Sequence, residues 1–353
     1  MLAMRPTWPQ AAAPQLPADR IIKEVKMGIH VFHQGTEQDG NLWHSYFDFT
    51  NSTWQPDTQL KNVGMSFSPS AVALPSPAGA IAVFHQGAHE NGQLWYSYFD
   101  GTTWQQDKQV QNVGMSFSPS AVVIPGDGIY VFHQGYEQDN SLWYSRFHFS
   151  NSTWDPDKRI RNVGIFDSPS AVALPSPVGA ISVFHQGIFQ EVSDTEGDGQ
   201  LWYSYFDGTT WQPDKQVQNV GMCTVRDIAF GTGSGAPSAV VIPGDGIYVF
   251  HQGKDNVLTG PSGDLWYSHF HFDNSTWDPD TQVPNRTAPG AQLMSQSPSA
   301  VVLPAPEGAV SAFYQGLGYD GELWYSYFDG TTWQPNTQVQ NVGMSKSPSA
   351  VVV

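Results

Sequence analysis

The sequence predicts an all-β protein assembled from six similar four-stranded units, and four observations carry that prediction. The phrase VFHQG at Val31 returns at Val83, Val131, Val183 and Val249, and as AFYQG at Ala312. Each copy is followed by LWHS or LWYS, beginning at Leu42, Leu94, Leu142, Leu201, Leu265 and Leu323. Gly (34) and Pro (26) punctuate the 353 residues too often for long helices. Helical periodicity is also missing: no stretch holds a 3.6-residue apolar period over three turns, which leaves room for a helix only in the first 25 residues.

The second copy shows the four elements in order. They are SAVALPS from Ser70, AIAVFHQG from Ala80, QLWYSYFDG from Gln93 and TTWQQDKQV from Thr102. β-Branched and aromatic residues fill each piece, and Gly, Pro or Asp separates them. From Phe to Phe the units are 52, 48, 52, 66 and 63 residues apart (Phe32, Phe84, Phe132, Phe184, Phe250, Phe313). Four short antiparallel strands at about this period are the mark of a propeller blade. The small-residue strand beginning SPSAVV suits the crowded axis. The strands bearing Trp54, Trp104, Trp154, Trp211, Trp277 and Trp333 suit the roomier rim.

The chain ends on an inner-type strand, Ser347-Pro-Ser-Ala-Val-Val-Val353, with no outer strands after it. That strand is expected to complete the first blade and close the ring, which hides two sheet edges. A single β-propeller of six blades follows, with seven as the alternative that the stray Trp8 leaves open. Residues 1–27 form an N-terminal extension, and the repeats run approximately 28–79, 80–128, 129–179, 180–246, 247–308 and 309–353. Copies one, three and five carry NSTW (Asn51, Asn151, Asn274), and copies two, four and six carry FDGTTW, so the blades come in pairs.

Charge narrows the partners. Asp and Glu total 32 against 15 Lys and Arg, a net charge of −17. That balance argues against nucleic acid and anionic membranes as partners. No 18-residue apolar run exists to insert in a membrane. Cys223 is the only cysteine, so no intramolecular disulfide can form. Without a signal-peptide pattern, a cytoplasmic or non-classically released protein is expected.

Blade connectivity places the HQG…LW loops and the NVGMS…SPS links on one face, with the inner hairpins and the FDGTTW turns on the other. Longer loops at 188–200, 223–236, 254–264 and 286–296 all fall on the first face, which favours it for binding. The His–Gln pairs there (His33/Gln34, His85/Gln86, His133/Gln134, His185/Gln186, His251/Gln252), with Gln315 in the last copy, offer neutral donors and acceptors. Trp43, Trp95, Trp143, Trp202, Trp266 and Trp324 begin the next strand at the same end and supply aromatic faces. Met65, Met115, Met222 and Met344 sit in the links that cross between blades. Neutral polar groups beside indole rings suit a sugar, whose hydroxyls bond the polar groups while its C–H face stacks. These residues are the expected carbohydrate-binding set. The bland reading is that His or Trp fills the core between blades.

No catalytic residues are expected. Paired carboxylates, GxSxG and HExxH are all missing, and repeated neutral residues suit several equivalent weak sites better than one reaction centre. No metal and no cofactor are expected either. The acidic loops lack calcium-loop spacing, and the strand-end histidines belong to different blades. The FDGTTW turns resemble the Asp-box turns of sialidase propellers, a structural role.

The strings VFHQG, GQLWYSYFDGTTWQPDKQV and NVGMS-x-SPSAVV resemble the repeats of the PLL-type fucose-binding β-propeller lectins of Photorhabdus, over nearly all of Gly28 to Val353. That resemblance implies glycan partners bound between neighbouring blades, L-fucose or O-methylated sugars, often in a homo-oligomer. Relatives of that type are seven-bladed, whereas this chain has six repeats. Tyr314 stands for His in the last copy and His44 for Tyr in the first. A multivalent lectin is thus the leading expectation. The alternative is a non-catalytic scaffold that binds protein through the face bearing the long loops.

Overall fold

The computed structural model describes residues 27–188, 197–224, 235–254, 263–284, 294–316 and 321–353. The stray Trp8, the sequon at Asn285 and most of the four long loops lie outside them. The first strands are β1 (Gly28–Gln34), β2 (Asn41–Asp48), β3 (Thr53–Ala73), β4 (Ile81–Gly87), β5 (Gln93–Phe99) and β6 (Lys108–Ile124). All sequential pairings are antiparallel. β3 serves two units, since Thr53–Gly64 pairs with β2 and Met65–Ala73 with β4. β6 continues from one unit to the next in the same way. In the last three units the corresponding strands form separate four-stranded sheets. The only helical elements among the described residues are two short 3-10 turns, Thr36–Gln38 and Tyr136–Gln138.

β1 pairs on its other side with Ser345–Val352, so the first unit's small-residue strand comes from the end of the chain. Six such strands meet around a central channel. One stretch of about 330 Å3 is lined by the Ala-Val repeats from Ala71 to Val352. A mouth of about 340 Å3 is lined by the Ser-Pro-Ser repeats. Small residues stand there because six strands converge. A circuit of hydrogen bonds links them: Ala71 N–H donates to Ser349 Oγ, Ala121 to Ser70, Ala171 to Ser120, Ala239 to Ser170, Ala300 to Ser238 and Ala350 to Ser299.

Both faces of each second strand are buried, as at Ile81–Gly87, which explains why its apolar residues run together rather than alternating. Phe32 and Leu42 pack on Ile81 and Val83 of the next unit. The same arrangement recurs through the chain, and Phe313 and Leu323 of the last unit pack on Ile29 and Val31 of the first. Each such Phe is at most about 1% exposed, and burying it contributes roughly 1.5–3 kcal/mol. The rim Trp of one unit meets the Phe of its predecessor edge-on, as Trp104 does Phe32 at 5.6 Å and Trp54 does Phe313 at 6.0 Å between centroids. These tryptophans therefore join neighbouring sheets as well as fill the rim.

The turns explain their residues. Asp100 accepts from the backbone N–H of Thr102 and Thr103 and from the Thr102 hydroxyl. Those hydrogen bonds hold its carboxyl well below the usual range, and Asp207 and Asp329 repeat the pattern. In the NVG links Asn62, Asn112, Asn162, Asn219 and Asn341 all have φ near +60°, a conformation Asn tolerates better than most residues.

Candidate functional site: clefts between neighbouring sheets

The predicted histidines and glutamines lie inside the sheets. His33, His85, His133, His185 and His251 are all 0% exposed. Each approaches an Asp through Nε2: Asp57, Asp107, Asp157 and Asp214 at 3.2 Å and Asp280 at 3.0 Å. A buried Ser on the adjacent strand donates to the same carboxylate oxygen, as Ser97 does to Asp107 at 2.9 Å. Nδ1 of each ring lies within hydrogen-bonding distance of the following Gln carbonyl. Both ring nitrogens are thus engaged within the unit, which differs from the expectation that they would face a ligand.

Gln34, Gln86, Gln134, Gln186, Gln252 and Gln315 are buried too. Their amide nitrogens donate to the carbonyls of Met65, Met115, Ile165, Cys223, Met294 and Met344. These bonds staple the inter-unit link to the second strand. Met65, Met115, Met222 and Met344 are about 1% exposed and belong to the cores, so their side chains do not form a pocket wall. The bland reading of His, Gln and Met is the one the geometry favours.

The tryptophans differ. Trp43, Trp95, Trp143, Trp202, Trp266 and Trp324 are half-buried. The loop acid four residues earlier orients three of them: Nε1 of Trp43, Trp143 and Trp202 donates to Asp39, Asp139 and Asp198. In the second unit that position is Asn91, and Trp95 Nε1 is buried without a partner.

Trp143, Trp202 and Trp266 each line a cleft between their own sheet and the preceding one, of about 900, 860 and 820 Å3. The walls come from the same segments each time. The earlier unit supplies Tyr96, Tyr144 or Tyr203 and its outer strand, such as Lys108, Gln109, Gln111 and Asn112. The later unit supplies the strand-start Trp, the rim Trp154, Trp211 or Trp277, and the Pro-Asp step after it. The outer strand buries Val110 and Val113 and leaves the two polar residues between them, Gln111 and Asn112, exposed. The outer-strand amides and the Pro-Asp step were missed by sequence reasoning. The available signal was KQVQ itself, identical at Lys108 and Lys215.

Electrostatically the clefts are mixed. Burial, reinforced by Asp107 and Asp214, raises Tyr96 and Tyr203 above the ordinary phenol range, so both stay protonated donors. Burial opposes ionisation of Asp155, but hydrogen bonds from His148 and Lys158 outweigh it and hold the carboxyl below its ordinary value. Burial raises Asp264 in the third cleft. Indole faces, phenols, amides and carboxylates around an open cleft can stack on a ring and hydrogen-bond its hydroxyls.

No family model matches the chain, and no curated protein matches it. Solved structures do. The chain is similar to the BP39L lectin of Burkholderia pseudomallei, at 14% identity over 89% of this chain and 85% of that one, with a TM-score of 0.61. It is similar to Aleuria aurantia lectin, described as a six-bladed β-propeller with a novel fucose recognition mode, at 15% identity over 91% and 97%, TM-score 0.54. It is also similar to the Penicillium chrysogenum α-L-arabinanase, at 12% identity over 79% and 82%, TM-score 0.54. At these identities the likeness concerns the fold: the chain is an all-β propeller, an architecture shared by sugar-binding and sugar-cleaving proteins. No helix among the described residues is long and apolar enough to cross a membrane.

Proposed function

We propose that this chain is a multivalent, non-catalytic lectin: a six-bladed propeller, closed by its C-terminal strand, that binds fucose-like sugars, O-methylated ones included, between neighbouring blades. The observation that carries the reading is the recurrence of one cleft, with the same indole, tyrosine and asparagine positions, at three successive inter-sheet junctions, although Arg159 and Arg161 replace the outer-strand glutamines in one of them. Repetition of an aromatic-walled cleft suits several similar weak sites, whose useful strength comes from avidity. The six-fold serine circuit and the pairing of Ser345–Val352 with β1 support the six-bladed, closed form. Fucose-binding proteins among the structural neighbours and the PLL-type repeat phrases support the sugar class. Of the expected site residues, Trp143, Trp202 and Trp266 contact the sugar in this reading, joined by outer-strand residues such as Gln109 and Asn112. His and Gln hold the strands beneath them.

Calorimetric titration with methyl α-L-fucoside tests this. The expected result is saturable binding at three or more sites per chain, with one site lost in Trp143→Ala. Absence of heat at millimolar fucoside and O-methylated fucoside overturns the sugar assignment and leaves the protein-binding scaffold. Release of nitrophenol from a nitrophenyl glycoside overturns the non-catalytic part.

A further inference from the structure

The fifth unit holds a side-chain cluster away from the indole-walled part of the clefts. Asp245 lies in the inner hairpin, and His269 and His271 end the strand Leu265–His271. Being two residues apart, both histidines project to one side of the strand, and their rings lie 3.9 Å apart between centroids. One ligand-competent atom from each of Asp245, His269 and His271 lies within 4.8 Å of the other two. His269 is only 6% exposed. Its Nε2 has no hydrogen-bond partner and stands 3.5 Å from Asp245 Oδ1. A buried imidazole nitrogen left unpaired beside a carboxylate is costly unless something occupies the space between them.

The surroundings are arranged for that. Tyr248 donates its hydroxyl to Asp245 Oδ2 at 2.9 Å, which leaves Oδ1 turned to His269. The Tyr248 ring stacks on His269 at 3.9 Å and fixes the imidazole plane. Asp278 lies 2.8 Å from His271 Nε2, an acceptor that orients the second imidazole.

The third unit shows what these positions do when charge is balanced within the chain. There Asp127, Tyr130, Arg146, His148 and Asp155 stand where the fifth unit has Asp245, Tyr248, His269, His271 and Asp278. Arg146 forms an ion pair with Asp127, Tyr130 donates to Asp127, and His148 pairs with Asp155. Exchanging the guanidinium for an imidazole removes a fixed positive charge from beside the carboxylate and puts a lone pair in its place. In the remaining units the two histidine positions are Tyr and Asp, as at Tyr98 and Asp100.

We propose that Asp245, His269 and His271 bind one zinc ion, with Tyr248 and Asp278 holding the ligands in place. Two imidazoles and a carboxylate form a donor set that suits zinc better than calcium or magnesium, which prefer oxygen alone. The ion supplies the positive charge that Arg146 supplies two units earlier, and it ties the inner hairpin to the third strand.

The test is competition between the chelator-treated full-length protein and a chromophoric zinc chelator, with thermal unfolding alongside. Wild type is expected to take up one zinc per chain and to unfold at a higher temperature with zinc present. His269→Tyr, which installs the residue four other units carry there, is expected to fold and to lose both effects. Asp278→Asn is expected to weaken binding about 10–100-fold, the usual effect of losing an orienting partner. Absence of uptake by wild type overturns the proposal. Unchanged uptake by a folded His269→Tyr overturns it equally.

Discussion

Five units bury a histidine against an aspartate, and the sixth does the same job without either. Tyr314 occupies the histidine position at 1% exposure. Its hydroxyl lies 3.3 Å from Ser326 Oγ, which donates to Asn336 at 2.8 Å. In the second unit the corresponding trio is His85, Ser97 and Asp107. Both members of the pair change together, and the sheet around them keeps its register. The lesson is that the position demands a filled volume with satisfied polar atoms rather than an ionisable ring. That is the strongest argument that these histidines support the fold and do not touch a ligand.

The comparison can be broken most severely by removing one partner. Asp107→Ala leaves His85 Nε2 and the Ser97 hydroxyl without their acceptor in a buried site, and a loss of about 2–3 kcal/mol is expected in urea unfolding. A loss below about 0.5 kcal/mol, the level of an ordinary surface substitution, would show that the pair contributes little.

A second contrast between titratable and non-titratable residues lies in the first unit, where His44 replaces the Tyr of other units and meets His30 at 2.8 Å. Burial lowers His30 to about 4; burial, with the charges of His30 and His33, lowers His44 to about 3. Both folded values lie below the unfolded value near 6.5, so the unfolded chain binds protons first. The stability present above about pH 6.5 is lost as pH falls through 6.5 towards 4, by up to about 3 kcal/mol for each histidine. Urea midpoints measured across that window should fall less in His44→Tyr than in wild type.

The covarying pair is sharpened by a double-mutant cycle. His85→Tyr and Asp107→Asn together should reproduce the sixth unit's arrangement, with a coupling of about 1 kcal/mol or more in favour of the double variant. Strict additivity would mean that the sixth unit's solution depends on its own surroundings. The smallest expected effect is a gain. Asn91→Asp supplies the acceptor that Trp95 lacks and Trp143 has, and should stabilise by about 0.5–1 kcal/mol.

Much of the architecture was legible because each unit repeats its turn chemistry and its small-residue strand. Ser70 to Val72 and its copies line the channel for the reason the sequence suggests, crowding at the centre. The second strand was harder. VFHQG is enclosed on both faces, so the alternation that would separate ligand-facing from core-facing residues is lost, and His33 reads the same whether it points at a sugar or at Asp57. The signal that resolves it is in the chain nonetheless: an Asp stands 22 to 29 residues after each His, and Asn336 replaces it in the one unit where Tyr replaces His. The clefts were half legible. Trp143 and Trp202 stand out as aromatic residues at a strand start, whereas Gln109 and Asn112 carry no mark beyond their recurrence at Gln216 and Asn219. The loops after Gly187 and Gly253 lie mostly outside the described residues, and the expectation placed on them stands as it was.

The pairing of β1 with Ser345–Val352 has a consequence for the order of events during synthesis. Ser345 Oγ donates to the carbonyl of Gly35 across 310 positions of chain. A sheet stitched across so long a stretch is complete only after Ser345–Val352 has been made, so β1 waits for this neighbour long after β2 is in place. Contacts so distant in sequence form slowly, and until they do β1 offers a bare edge to any passing strand.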